Sequence, residues 1–130
     1  MALNPAFISN PRLTAANVST ANTAIDGTGT ITTLITGVAA GTRVLEIDVQ
    51  CAATTTAANV NIFISSDGGS TYRLFDQISV SAATPSATVK ANRNVTAYTN
   101  LVLPSTSHVL GVTTSVSQST NVIALGGDLT

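Results

Sequence analysis

From Arg43 to Cys51 apolar and polar residues take turns, with Leu45, Ile47, Val49 and Cys51 in one phase and Glu46, Asp48 and Gln50 in the other. A strand sends successive side chains to opposite faces, so this pattern sorts cleanly only in β structure, where one face is core and the other is wet or at an interface. The same period returns at Asn59–Ser65, with Val60, Ile62 and Ile64 in phase, and at Thr71–Ser81, with Leu74, Ile78 and Val80 in phase. No segment carries a convincing helical stripe. Between the second and third runs lies Ser66-Asp67-Gly68-Gly69-Ser70, whose glycines accept positive φ, and this predicts a hairpin. Further strands are expected at Thr30–Thr36, Ala87–Ala91, Val109–Val116 and Asn121–Gly126. Leu101-Val102-Leu103-Pro104 ends a connection, because proline cannot donate to a central ladder. Short strands separated by turn signals predict an all-β fold, an antiparallel β-sandwich of jelly-roll-like form.

The first twenty-two residues break this pattern. They hold Pro5 and Pro11, many alanines and small polar residues, and little alternation. They read as an extended N-terminal arm, residues 1–22, ahead of a single sandwich domain, residues 23–130. A chain of 130 residues is long enough for one sizeable core. Only 8% of it is charged, against about 25% in ordinary soluble domains. Threonine and serine, about a quarter of the residues, supply polarity in its place, and threonine's stiff β-branched side chain suits a strand.

The same scarcity of charge excludes several functions. Nucleic-acid binding calls for a basic stripe, whereas Arg12, Arg43, Arg73, Lys90 and Arg93 are scattered and the net charge is −1. No run approaches the roughly 18 apolar residues that span a bilayer. Met1–Arg12 lacks the basic start and apolar run of a secretion signal, so the product is expected to stay in the cell that makes it. Cys51, the one cysteine, forms no intrachain disulfide and reads as a buried hydrophobe.

Catalysis needs titratable groups within reach of one another, and few are present. His108 is the single histidine, beside Ser107, and reads as a polar strand-edge residue rather than a triad base. Glu46 and Asp48 share a strand face but have no third ligand or histidine near them in sequence. Asp26-Gly27-Thr28-Gly29, Asp67-Gly68-Gly69 and Gly126-Gly127-Asp128 lack the spacing of phosphate or calcium loops and read as turns. Asn17-Val18-Ser19 and Asn94-Val95-Thr96 fit the glycosylation sequon, which has no consequence without secretion. The expectation is a protein that is not an enzyme, with no catalytic, cofactor-binding or metal-binding residues. Uncharged faces rich in small residues suit protein contacts instead, since covering them buries no unpaired charge.

Several stretches resemble small tailed-bacteriophage virion proteins known as decoration, cement or head-stabilising proteins. The likeness runs through Asn22-Thr23-Ala24-Ile25-Asp26-Gly27-Thr28-Gly29-Thr30, Gly41-Thr42-Arg43-Val44 to Ile47, and Ile62-Phe63-Ile64-Ser65 with Asp67-Gly68-Gly69. It continues through Arg73-Leu74, Leu101-Val102-Leu103-Pro104 and Asn121-Val122-Ile123-Ala124-Leu125-Gly126-Gly127-Asp128-Leu129. The resemblance implies a jelly-roll or related sandwich made in the bacterial cytoplasm and carried on the capsid surface of the virion. It implies the major capsid protein as partner and a homo-oligomer, with a trimer favoured over a dimer, and no catalysis. The arm would then order on the capsid. The alternative reading is a tail- or fibre-associated module that binds a host-surface glycan, for which Tyr72, Tyr98, Phe7, Phe63 and Phe75 are the aromatic candidates.

Overall fold

The computed structural model describes residues 8–129, and these form eight strands: β1 (Ile8–Val18), β2 (Thr32–Thr36), β3 (Thr42–Cys51), β4 (Ala58–Ser65), β5 (Arg73–Val80), β6 (Asn92–Leu103), β7 (Val109–Thr114) and β8 (Thr120–Leu129). They make two antiparallel four-stranded sheets, ordered β1-β8-β3-β6 and β2-β7-β4-β5. The molecule is an all-β, sandwich-like fold. Its principal pairings are nested, since β1 joins β8, β2 joins β7, β3 joins β6 and β4 joins β5. Two further pairings, β3 with β8 and β4 with β7, complete the sheets.

The core lies between the sheets. Val44, Ile47, Val49, Leu103, Val122 and Ala124 enter it from the first sheet, and Val60, Ile62, Ile78, Leu110 and Val112 from the second. Cys51 is buried in the same cluster beside the Thr120 hydroxyl, in line with its reading as a small hydrophobe. Turn chemistry closes the β4–β5 hairpin: Gly68 and Gly69 take φ of 77° and 96°, and the Asp67 carboxylate accepts from the Thr71 amide at 2.8 Å and the Ser65 hydroxyl at 2.7 Å. Those donors hold Asp67 below the usual carboxylate pKa.

Four details depart from the pattern in the sequence. Residues 8–18, expected in the arm, form an edge strand hydrogen-bonded along β8 from Asn10 to Val18. Its fastening is polar and therefore invisible to an alternation test. The Arg12 guanidinium donates to the Thr36 carbonyl at 2.9 Å and to Asp128 at 3.2 Å, and Thr42 donates to the same carboxylate oxygen at 2.9 Å. The first seven residues of the expected arm lie outside the described residues.

Second, Ala87–Ala91 is not a strand; the sixth strand runs from Asn92 to Leu103, with Leu101-Val102-Leu103 as its last turnless stretch before Pro104. Third, Leu45 is exposed. A bulge between Val44 and Glu46 shifts the register against both neighbours, so the core phase is Thr42, Val44 and then Ile47, Val49, Cys51. A register shift opposite Ile62 and Phe63 does the same to Leu74, which turns outward while Ile78 and Val80 stay in the core. Fourth, Gly126-Gly127-Asp128 is not a turn but part of β8, where Gly126 passes so close to the Arg43 backbone that a Cβ would overlap it.

Candidate functional site

The residues singled out for chemistry do not converge. The His108 Nδ1 is hydrogen-bonded to the Ser105 hydroxyl at 2.8 Å, while Ser107 contributes only its amide to that same hydroxyl. His108, Arg73, Asp67 and Thr71 border one shallow depression, yet Asp67 is already engaged by the hairpin. Asp26 accepts from the Thr28 hydroxyl at 2.6 Å and its amide at 3.1 Å, which lowers its pKa and makes the segment an Asx turn. Among the described residues no three His, Cys, Asp or Glu side chains are grouped so as to hold a metal ion. Of the sequon asparagines, Asn94 reaches the Ser79 carbonyl at 2.7 Å and Asn17 reaches Asn121 at 2.8 Å.

Glu46 and Asp48 do share the outward face of β3, and that face is the most distinctive surface of the molecule. Strand register assembles it in rows across the first sheet. One row reads Leu13, Leu125, Glu46, Ala97, and the next reads Ala15, Ile123, Asp48, Val95. Pro11, Gly127, Arg43 and Val102 flank these on one side. Asn17, Asn121, Gln50 and Arg93 flank them on the other. Leu13 is 65% exposed, Val95 48% and Val102 39%, an unusual density of bare aliphatic side chains on one sheet face.

Charge on this face is sparse: Asp48 is paired with Arg93, while Glu46 and Arg43 have no ion-pair partner among the described residues. Asp48 is sunk into the sheet, with its side chain 7% exposed, and takes a 2.7 Å hydrogen bond from the half-exposed Arg93. Arg43 folds back to donate to the Thr99 carbonyl at 2.8 Å. The face thus carries exposed aliphatic side chains on its two edge strands, two carboxylates in the middle of β3 and hydrogen-bonding side chains along one margin.

A second, smaller feature sits at the β6 irregularity. Three residues, Tyr98, Thr99 and Asn100, oppose the single residue Leu45 of β3, and they border a cleft with Phe75 and Leu101. The Phe75 and Tyr98 rings lie 5.6 Å apart at 46°. The Tyr98 hydroxyl donates to Asp76 at 2.8 Å, and burial together with that carboxylate raises its pKa well above the ordinary phenol value.

The face escapes sequence reasoning, whereas Phe75 and Tyr98 of the cleft are among the aromatic candidates of the sequence, with nothing there to bring them together. The face draws on four strands that only the folded register aligns. A signal was available at β6, where Val95 and Ala97 alternate with polar residues, though in the phase that points away from the core. No protein-family model, curated protein or solved structure matches this chain.

Proposed function

We propose that the chain is a structural, non-catalytic virion protein that binds the exterior of a tailed-phage capsid as a homo-oligomer and cements neighbouring capsomers. The observation that carries this reading is the set of bare aliphatic side chains on the β1-β8-β3-β6 sheet, Leu13, Val95 and Val102, which contact with another protein would cover. The nested strand pairing supports it further, since two sheets ordered β1-β8-β3-β6 and β2-β7-β4-β5 follow the winding of a jelly roll, a fold used in viral shells. The stretches that resemble decoration proteins point the same way. Such a protein acts by linkage: binding only the assembled lattice stabilises that lattice against the outward pressure of packaged DNA.

Imaging virions of the phage that encodes the chain tests the reading. Many copies spread over the head are expected, whereas a few copies at the tail or one vertex would overturn it. The tail-module reading keeps one specific support, the Phe75–Tyr98 cleft, whose partly exposed aromatic ring and adjacent polar groups suit a sugar. Glycan-array binding that is lost on Phe75→Ala, together with a tail location, would favour that alternative.

A further inference from the structure

We infer that the loop between β5 and β6 is a proteolytic modification site, cut after Lys90 by proteases whose specificity pocket takes a basic side chain, and that the cut protein keeps its fold as two interlocked chains. Nothing in this depends on attachment to a capsid.

A protease takes its substrate as an accessible, unpaired stretch of chain, so burial and main-chain pairing decide which bonds it reaches. Of the five lysines and arginines, all but Lys90 are held in strands. Arg12 faces Gly126 in β1, and Arg43 lies in β3 between β6 and β8. Arg73 opens β5 opposite Ile64, and Arg93 in β6 stands opposite Gln50 with its guanidinium on Asp48. Around Lys90 the chain is bare: Ser86, Ala87, Thr88, Val89 and Lys90 are all exposed. Among the described residues, the hydrogen bonds made by residues 84–91 all close within the loop. The Ser86 amide donates to the Val89 carbonyl at 2.9 Å, and the Ser86 hydroxyl accepts from the Thr88 and Val89 amides at 3.2 and 3.1 Å. Opening this turn breaks no contact of either sheet.

The neck of the loop is tied independently of its tip. The Asn92 side chain donates to the Ser81 carbonyl, and Thr55 and Ala83 exchange main-chain hydrogen bonds at 2.8 and 3.2 Å. Hydrolysis adds one water across the amide joining Lys90 to Ala91. The C–N bond breaks, the Lys90 carbonyl carbon takes the water oxygen and becomes a carboxylate, and the Ala91 nitrogen takes the protons and becomes an ammonium. Beyond the cut lie β6, β7 and β8, and no two of them pair with each other. β6 pairs with β3, β8 lies between β1 and β3, and β7 lies between β2 and β4. Each strand of residues 91–130 is thus seated against residues 1–90, with Leu101, Leu103, Leu110, Val112 and Val122 buried in the shared core. Severing one exposed bond removes none of these contacts.

Brief digestion of the full chain with trypsin in native buffer, read by mass spectrometry, tests the site. Residues 1–90 and 91–130 are the expected products, formed before any cut at an arginine. They should elute together from size exclusion at the volume of the intact chain, with its circular dichroism unchanged. Cutting should be lost in Lys90→Gln, whose exposed loop position leaves the fold as it was. The cut also makes unfolding a two-chain reaction, so the urea midpoint of the cut protein should rise more steeply with protein concentration than that of the intact chain. A chain that trypsin leaves whole, a first cut at Arg73 or any other arginine, Lys90→Gln cut as fast as the wild type, or fragments that elute apart would each overturn the proposal.

Discussion

The two outward faces of this sandwich come from the same threonine-rich composition and finish in opposite states. On the second sheet, residues 19–31 pass from β1 to β2 along the sheet: Asn22 donates to the Thr114 carbonyl, and Ile31 lies against Gly111 together with Tyr72. Phe63, the register partner of Gly111, is left with no exposure, and all six residues of β7 are buried. Beside it runs a polar ladder in which Gln77 donates to Asn61 at 2.8 Å and Asn61 to Thr113 at 3.3 Å. The first sheet has no such cover among the described residues, and Leu13 and Val95 stand in the open. One face is covered by its own chain; the other is bare among the described residues.

That contrast can be broken at graded cost. Phe63→Ala should be the most damaging change, losing about 3–5 kcal/mol by urea unfolding, because a self-covered face is core on both sides. A loss near zero would mean that residues 19–31 do not seal the face. Asn61→Ala should cost about 1–3 kcal/mol, since it leaves Gln77 and Thr113 without their shared partner.

Asp128→Asn probes the fastening of the bare face and should cost about 1 kcal/mol at pH 7. Desolvation opposes its charge, but Thr42 and Arg12 outweigh that and hold its pKa below the ordinary 3.8. A lowered carboxylate pKa contributes stability above about pH 4 and loses it as pH falls through the lowered value. The wild type should therefore lose more stability than Asp128→Asn between pH 5 and pH 2, read as the urea midpoint at each pH. Leu13→Ala and Val95→Ala should change the stability of the single chain least, within about 0.5 kcal/mol at dilutions where it is monomeric. A larger loss would show these side chains to be core rather than contact surface.

Class and most strands were legible because alternation at Asn59–Ser65 and Asn121–Gly126 reports a face that is buried in place. The misreadings share one physical source, which is register. A bulge at Leu45 and another beside Phe75 reverse the phase within a single strand, and no property of those residues announces it. β6 sends Asn92, Asn94, Thr96 and Tyr98 toward the interior side and Val95 and Ala97 outward, so its apolar pattern points to the wrong face. Ala87, Val89 and Ala91 alternate just as well yet find no neighbouring strand. β1 is held by Arg12 and by main-chain pairing rather than by an apolar stripe. The contact face was unreadable for the same reason: Leu13, Val95 and Ile123 are neighbours only after the strands have paired.

The nesting of the pairs also sets the order in which the molecule can come into being. β8 sits between β1 and β3, so a nascent chain still lacking it has a stranded β1 and half a sheet. The β4–β5 hairpin can form early on the ribosome, but closure waits for the segment made last of the eight. Pairings this remote in sequence fold slowly, on the order of milliseconds to seconds, and until then the aliphatic side chains destined for the outside are joined in solvent by those destined for the core. Transiently exposed apolar surface of this kind favours aggregation, so that interval is the one in which the chain is most open to clumping.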